Sequence, residues 1–425
     1  MNLLEKLIDR NKKALREMEA NPDPTQLRSN QLALEIEIDG YSKLLEAWKR
    51  GKPILSHFVS NGLAKAMGAL HALYQDILLC SPDPEEGLKL YQVAHDMGMP
   101  DYMCDVFTLP AAAVQSGQMP PPLIATSGVA GSCRVWIYHI KTFAEYFGVP
   151  TFDIDTPDGY NEESIKYMAE QLGELIKFVE KHVPVLKYDQ DKHIEIIETN
   201  RVWVNYYLKE WELKKHIPSP LSNRENATLP LHFDPSLYGD SKKVLEFWRM
   251  RVEEIEERVA KGVDKEERLR ILWVNPPPLY MDVFTILDHL GVSLTAMWLP
   301  PLGRFNGWRA NWGDDKEFGR KLTPLEEEAR FMLGEDSYRS YEWADNVVWM
   351  CRELSCDAIV YMQPVGCLHM GGLARMVADT VEKQLGLPTL IVQNLSYDPA
   401  ILPPAEFESK LTDFVDMALA RKVEG

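Results

Sequence analysis

Two stretches of this chain read alike: PPLIATSGVAGSCRVWIYHIKTFAEYFGVPTFDID at 121–155 and DAIVYMQPVGCLHMGGLARMVADTVEKQLGLPTLIVQN at 357–394. Each runs from an apolar, β-branched segment through a glycine-containing loop to a cysteine, then a helical period, then Gly-X-Pro-Thr and a second apolar segment. The cysteine falls 10 positions after Leu123 in the first copy and 9 after Ala358 in the second. Strands alternating with helices of this length make βαβ units, whose strands lie parallel. The predicted fold is therefore α/β, with one strand–loop–helix unit used in each of two Rossmann-like lobes.

The same alternation extends outward from both copies. KPILSHFVS (52–60), RLRILWVN (268–275) and VSLTAMWL (292–299) read as further strands, and 62–76, 83–98, 281–291, 323–333, 338–354 and 404–420 as helices. Asp83, Glu85 and Glu86 suit the positive N-terminal end of the 83–98 helix. The expected division is an N-terminal helical segment over 1–50, a first Rossmann-like domain over 51–185, a helical connecting segment over 186–265 and a second Rossmann-like domain over 266–425.

Composition narrows the function. The 425 residues carry a formal net charge of −18, which disfavours nucleic-acid and anionic-membrane surfaces as partners. At 45% hydrophobic and 26% charged, the chain has enough apolar residues for sizeable cores. No run approaches the roughly 18 apolar residues of a membrane span, and the charged, amphipathic start MNLLEKLIDRNKKALREMEA lacks the core of a signal peptide. The expected location is cytoplasmic. There, the six cysteines are buried thiols, nucleophiles or metal ligands rather than disulfide partners.

Cys133 and Cys367 fall where parallel α/β sheets bind ligands, beyond the carboxyl ends of strands. Each stands at a helix start, where backbone N–H groups and the helix dipole favour a thiolate. Gly131 and Gly366 precede them. Cys104, in MPDYMC, opens another helical stretch. A single cysteine at a helix start is more often a small buried hydrophobe; it is the repetition that points to function. No CxxC or HExxH spacing identifies a metal. Cys80, Cys351 and Cys356 lie within predicted elements and read as structural.

Other chemistries leave weaker traces. GLAKAMG (62–68) lacks the Gly-Lys-Ser/Thr ending of a phosphate-binding loop, and neither a G-x-S-x-G elbow nor a G-x-G-x-x-G fingerprint occurs. His57 and Ser60 close the first strand and are expected near a cleft. Arg304 and Arg309, among aromatics in WLPPLGRFNGWRANW (298–312), could meet a planar anionic ligand or simply cover the surface. Glu253, Glu254, Glu256 and Glu257 read as a solvated helix face.

DYMCDVF, LIATSGVAGSCRVWIYH, GVPTFDIDTP, the middle SPL, KVLEFWRMRVEEIEERV, ILWVNPPPLY, DAIVYMQPVGCLHMGG and GLPTLIVQNLSYDP occur here in this order, from about residue 50 to the end. In that order and spacing the chain resembles subunits of the benzoyl-CoA reductase and 2-hydroxyacyl-CoA dehydratase family, most closely the larger benzoyl-CoA-reductase-type subunit. The resemblance implies a 4Fe–4S cluster held between two lobes by Cys104, Cys133 and Cys367, with one iron open. It also implies a homologous second subunit, an acyl-CoA substrate and a separate ATP-dependent iron–sulfur activator protein delivering single electrons. Substrate-handling dehydratase subunits resemble one another in a Ser and a Glu soon after the first strand. LSHFVSNGLAKAMG (55–68) has Ser56 and Ser60 but no carboxylate.

Three readings follow. The first is an iron–sulfur subunit that reduces or dehydrates a CoA thioester by single electrons. The second is a homodimeric redox protein carrying a double-cubane cluster and reducing small molecules without CoA. The third is a metal-free, two-lobed ligand-binding protein.

Overall fold

A computed structural model describes residues 1–56, 58–72, 74, 77–78, 83–100, 103–127, 136–157, 160–227, 233–237, 239–297, 318–334, 340–367 and 370–424. Its largest sheet contains β5 (Leu269–Val274), β6 (Val292–Met297), β7 (Ala358–Pro364) and β8 (Thr389–Asn394), all parallel, in the order β6-β5-β7-β8. Every residue of β5 and β6 is buried, as required of parallel strands covered on both faces. Leu272, Val274, Ile359 and Tyr361 face one layer with Trp343, Val347 and Trp211. Their alternates Ile271, Trp273, Val360 and Met362 face Phe407, Leu411 and Val415 of the C-terminal helix Pro404–Glu424. The period of two expected of a strand therefore divides this lobe's core into two layers.

Two smaller parallel pairs make the other lobe. β1 (Ile54–Ser56) pairs with β2 (Leu70–Ala72), and β3 (Ala125–Ser127) with β4 (Thr151–Asp153). The α/β class with parallel strands is thus as the sequence indicates. β2 departs from the sequence reading, which ran a helix through it over 62–76. The helix Asn61–Ala66 stops early because Gly68 adopts φ +83°, the left-handed position that ends a helix.

Several elements cross between the lobes. The helices Leu3–Ala20 and Ser29–Lys49 bury Leu3, Leu4, Leu7, Tyr41 and Leu44 in one core with Ile54 and Ala72. The helix Pro324–Gly334 follows β6 in the chain, yet its Ala329, Met332 and Leu333 share a core with Leu55, Leu63, Met168 and Leu172 of the first lobe. The helix Gln190–Lys214 spans both lobes. Its 25 residues reach about 37 Å. Its first turns lie on helix Asn61–Ala66, and its later Trp203, Val204, Tyr207 and Trp211 enter the second-lobe core. Among the described residues no helix is long and apolar enough to cross a membrane.

The acidic run on helix Ser241–Lys261 is not uniformly solvated. Glu254 is buried, and its carboxylate accepts from the Arg28 N–H and Nε at 3.0 and 2.7 Å and from the Ser29 N–H at 3.0 Å. It thus caps the helix Ser29–Lys49 from a distance, where unsatisfied backbone donors and the dipole favour an anion. Sequence spacing alone could not separate it from Glu253, because its partner lies over two hundred residues away.

A buried charge cluster fixes the spanning helix to Ser241–Lys261. Arg251 Nε donates to Glu210 Oε2 at 2.8 Å, Lys214 Nζ lies 3.0 Å from Glu210 Oε1, and all three side chains are almost fully enclosed. Burial alone would raise the Glu210 carboxyl, but Arg251 and Lys214 outweigh it and hold its pKa at about 2. Burial also pushes the Lys214 ammonium down, only partly offset by Glu210.

The Glu210 contribution is fully present above its ordinary value of 4.5 and is lost as pH falls towards about 2. Glu210→Gln should lower unfolding free energy by about 3–5 kcal/mol near neutrality, because two buried cations lose their counter-charge. Denaturant unfolding across the acid range should show that deficit shrinking as pH drops through that window; a constant deficit would contradict the assignment.

Candidate functional site

The order β6-β5-β7-β8 reverses direction between β5 and β7, since the chain moves from β5 outward to β6 and then returns to the other side for β7. Such a switch point leaves a crevice beyond the carboxyl ends of the two strands. Asn275 closes β5 there, buried, at φ +71°, donating from Nδ2 to the Met362 carbonyl of β7 at 2.6 Å. Its carboxamide takes the place of a ladder bond where the two strands part. A non-glycine residue in this backbone region commonly marks a constrained position.

Cys367 follows β7 across this edge. Its N–H donates to the Pro364 carbonyl at 3.1 Å, and its carbonyl accepts from the Gly371 N–H at 2.9 Å, opening the helix Met370–Leu385. Cys104 has the same kind of place in the other lobe. It caps the helix Asp105–Gln115 with φ −62° and ψ 131°, and its carbonyl accepts from the N–H groups of Phe107 and Thr108 at 3.0 Å each. Both thiols are half-buried. A half-buried thiol at a helix start can reach a ligand.

A short segment links the two loops that carry them. Asp105, next to Cys104, accepts at Oδ2 from the Ser396 N–H at 2.7 Å. Ser396 lies just beyond β8, whose last residue Asn394 accepts from the Val365 N–H at 3.0 Å, two positions before Cys367. The Ser396 carbonyl accepts from the Leu279 N–H at 2.7 Å, after the Pro276–Pro278 turn. Tyr397 enters the first-lobe core and donates its hydroxyl to the Leu78 carbonyl. Cys104 and Cys367 thus flank one buckle between the lobes, though 263 positions apart in sequence.

Cys133 and Gly131 lie outside the described residues, as do Cys80, His57, Arg304 and Arg309. Among the described residues, no three His, Cys, Asp or Glu side chains are grouped to hold a metal ion. Cys351 and Cys356 are buried in the second-lobe core, with Cys356 Sγ 3.3 Å from Thr295 Oγ1, away from the strand ends.

Ser60 is placed by its own hydroxyl, which caps the helix Asn61–Ala66 by accepting from the Leu63 N–H at 2.9 Å. Its hydrogen goes to Glu328, a residue that sequence reading left inside an undistinguished helix. His193 Nε2 meets the other oxygen of Glu328 at 3.2 Å, and Tyr188 contacts His193 Nδ1 at 2.9 Å. Burial and the nearby charges of Glu328 and Asp189 raise the Tyr188 phenol to about 12, so it remains a donor. The neighbouring glutamates point elsewhere. Glu326 pairs with Arg320, whose hydrogen bond holds its carboxyl down at about 2 against partial burial, and Glu327 meets Arg330 at 3.0 Å. No motif in the sequence distinguishes the three.

Residues 57–418 match the family model described as 2-hydroxyglutaryl-CoA dehydratase, D-component. The chain is also 23% identical, over 428 aligned residues, to the (R)-phenyllactyl-CoA dehydratase alpha subunit of Clostridium sporogenes; the match covers 95% of this chain and 98% of that subunit. Both agree with the resemblance read from the cysteine-bearing segments, and the match spans both lobes and the buckle between them. The chain belongs to the 2-hydroxyglutaryl-CoA dehydratase D-component family, a family of enzymes.

Proposed function

We propose that this chain is the iron–sulfur subunit of an enzyme that removes water from a 2-hydroxyacyl-CoA thioester, with Cys104, Cys133 and Cys367 as ligands of one 4Fe–4S cluster. The observation that supports the reading is that the loops carrying Cys104 and Cys367, each half-buried at a helix start, both hydrogen-bond through neighbouring residues to the segment 394–397 at the end of β8. Two thiols so placed fit the donor chemistry of such a cluster, which takes cysteine thiolates. The third ligand would come from the duplicated strand–loop–helix unit of the first lobe. When bound, the cluster supplies single electrons and an open iron to a thioester carbonyl.

The chain's own residues shape the surroundings. Asp105 holds the Cys104 loop to the end of β8, Asn275 holds the ends of β5 and β7 together, and Tyr397 locks the intervening segment into the first lobe. Together they limit how far the two thiols can move apart. The family model and the relative are both described as dehydratase components, which favours dehydration over aromatic-ring reduction. The relative is an alpha subunit, and a homologous second subunit is accordingly proposed here. A separate activator protein that hydrolyses ATP is part of this proposal, and the lack of a phosphate-binding loop motif in the sequence is compatible with it.

Anaerobically purified protein should be brown, contain about four irons and four acid-labile sulfides per chain, and give an EPR signal on reduction. Cys104→Ser, Cys133→Ser and Cys367→Ser should each lose most of that iron. Cys351→Ser should retain it and cost only about 1 kcal/mol of stability. Full iron content in a Cys367→Ser protein would refute the ligand set, and about eight irons per chain would favour a double-cubane cluster.

Turnover should depend on other proteins. The purified chain with ATP and a low-potential reductant is expected to hydrolyse no ATP and convert no acyl-CoA. Conversion should begin on adding an activator ATPase together with a second subunit. Sustained ATP-dependent turnover by this polypeptide alone, measured by product chromatography, would contradict the proposal.

A further inference from the structure

The helix Pro84–Asp96 carries a glycine in its interior, where glycine is a poor helix former. Gly87 is buried, and the reason for it comes from the other lobe. A Cβ added there would come within 2.7 Å of three atoms of the Tyr397 ring, closer than side chains pack. Tyr397 reaches this notch from the segment just beyond β8. It is only 1% exposed, and it donates its hydroxyl hydrogen to the Leu78 carbonyl. Ring and hydroxyl are thus both seated in the first lobe, on a segment that belongs to the second.

One residue separates this socket from the Cys104 loop. The N–H of Ser396, next to Tyr397, donates to Asp105 Oδ2 at 2.7 Å, and Asp105 follows Cys104 directly. Asp105 is buried, which shields that bond from water. Tyr91 lies one helical turn after Gly87. Burial and the Asp105 carboxyl beside it push its phenol well above the ordinary value. The helix Pro84–Asp96 also packs against the helix Asp105–Gln115 that Cys104 caps. On the other side, Asn394 accepts from the Val365 N–H at 3.0 Å, two positions before Cys367. Tyr397 in its notch therefore governs, through these two hydrogen bonds, where the Cys104 loop stands relative to the Cys367 loop.

We propose that Gly87 and Tyr397 are positioning residues for the cluster, the seated ring holding the Cys104 loop at the distance from Cys367 that retains iron; this rests on the cluster reading above. Partners outside the ligand set commonly tune a metal site in this way. Neither lobe needs this contact to form its strands, since β1 to β4 and β5 to β8 pair within their own lobes. When the ring leaves the notch, the expected consequence is local. Ser396 parts from Asp105, the Cys104 loop loses its tie to the end of β8, and iron becomes easier to remove.

The test compares iron release to a chelator from anaerobically purified, full-length proteins, together with the EPR spectrum and midpoint potential of each cluster. Gly87→Ala and Tyr397→Ala should each release iron about tenfold or more faster than wild type, with a shifted midpoint potential. Tyr397→Phe keeps the ring and should stay within about threefold of wild type. The Tyr397→Ala protein has room for a Cβ at position 87, so adding Gly87→Ala to it should speed release no further. Leu44→Ala, in the same first-lobe core but on the helix Ser29–Lys49, should lower the melting temperature and leave iron release unchanged. Should Gly87→Ala fail to fold, the contrast between Tyr397→Ala and Tyr397→Phe decides the matter. Wild-type release from Tyr397→Ala, additive effects in the double variant, or equally fast release from Leu44→Ala would overturn this inference alone. Wild-type protein that holds no iron overturns it together with the reading it rests on.

Discussion

β5 and β7 are enclosed on both faces, by the layer around Trp343 and Trp211 on one side and by the C-terminal helix on the other. A strand covered in this way has no lateral surface on which to meet a polar ligand, and its chemistry is confined to its ends. The reversal of strand order between β5 and β7 opens a crevice at the carboxyl end, where no crossover helix closes it. Asn275, Cys367 and the 394–397 segment all lie at that end, and Cys104 reaches it from the other lobe.

Holding the lobes in register requires struts, and the chain provides three. The helix Gln190–Lys214 presents His193 to the first lobe and Trp211 to the second, within one rigid rod. The helix Pro324–Gly334 leaves the second lobe to complete the first-lobe core, carrying Glu328 to Ser60. Tyr397 and Ser396 fasten the end of β8 to the first lobe. None of these could be lengthened or removed without separating groups that meet only through them.

The polar cost of this arrangement is concentrated in a few buried carboxylates. Glu210 neutralises Arg251 and Lys214, Glu254 satisfies the start of a helix, and Glu328 gathers donors from two other segments. The first two partner groups that would otherwise be stranded, which is the ordinary reason for a buried charge. Glu328 stands at a strand end, between Ser60 and His193.

What the sequence determined by itself is local and periodic. Alternation of β-branched runs with helical stretches specified the parallel α/β class, the repeated unit marked Cys133 and Cys367 as strand-end residues, and DYMC placed Cys104 at a helix start, where the structure has it. The order of motifs carried the family, since 57–418 match it as one block. Only the tertiary structure decided the rest: that β2 interrupts a predicted helix, that Cys104 and Cys367 flank one buckle, that Glu254 turns inward while Glu253 does not, and that Glu328 meets Ser60 while Glu326 meets Arg320. Secondary structure follows from spacings of two to four residues, which a sequence displays directly. A contact between residues hundreds of positions apart depends on how whole helices dock, and neighbouring glutamates on one helix are chemically identical until that docking gives each a different partner.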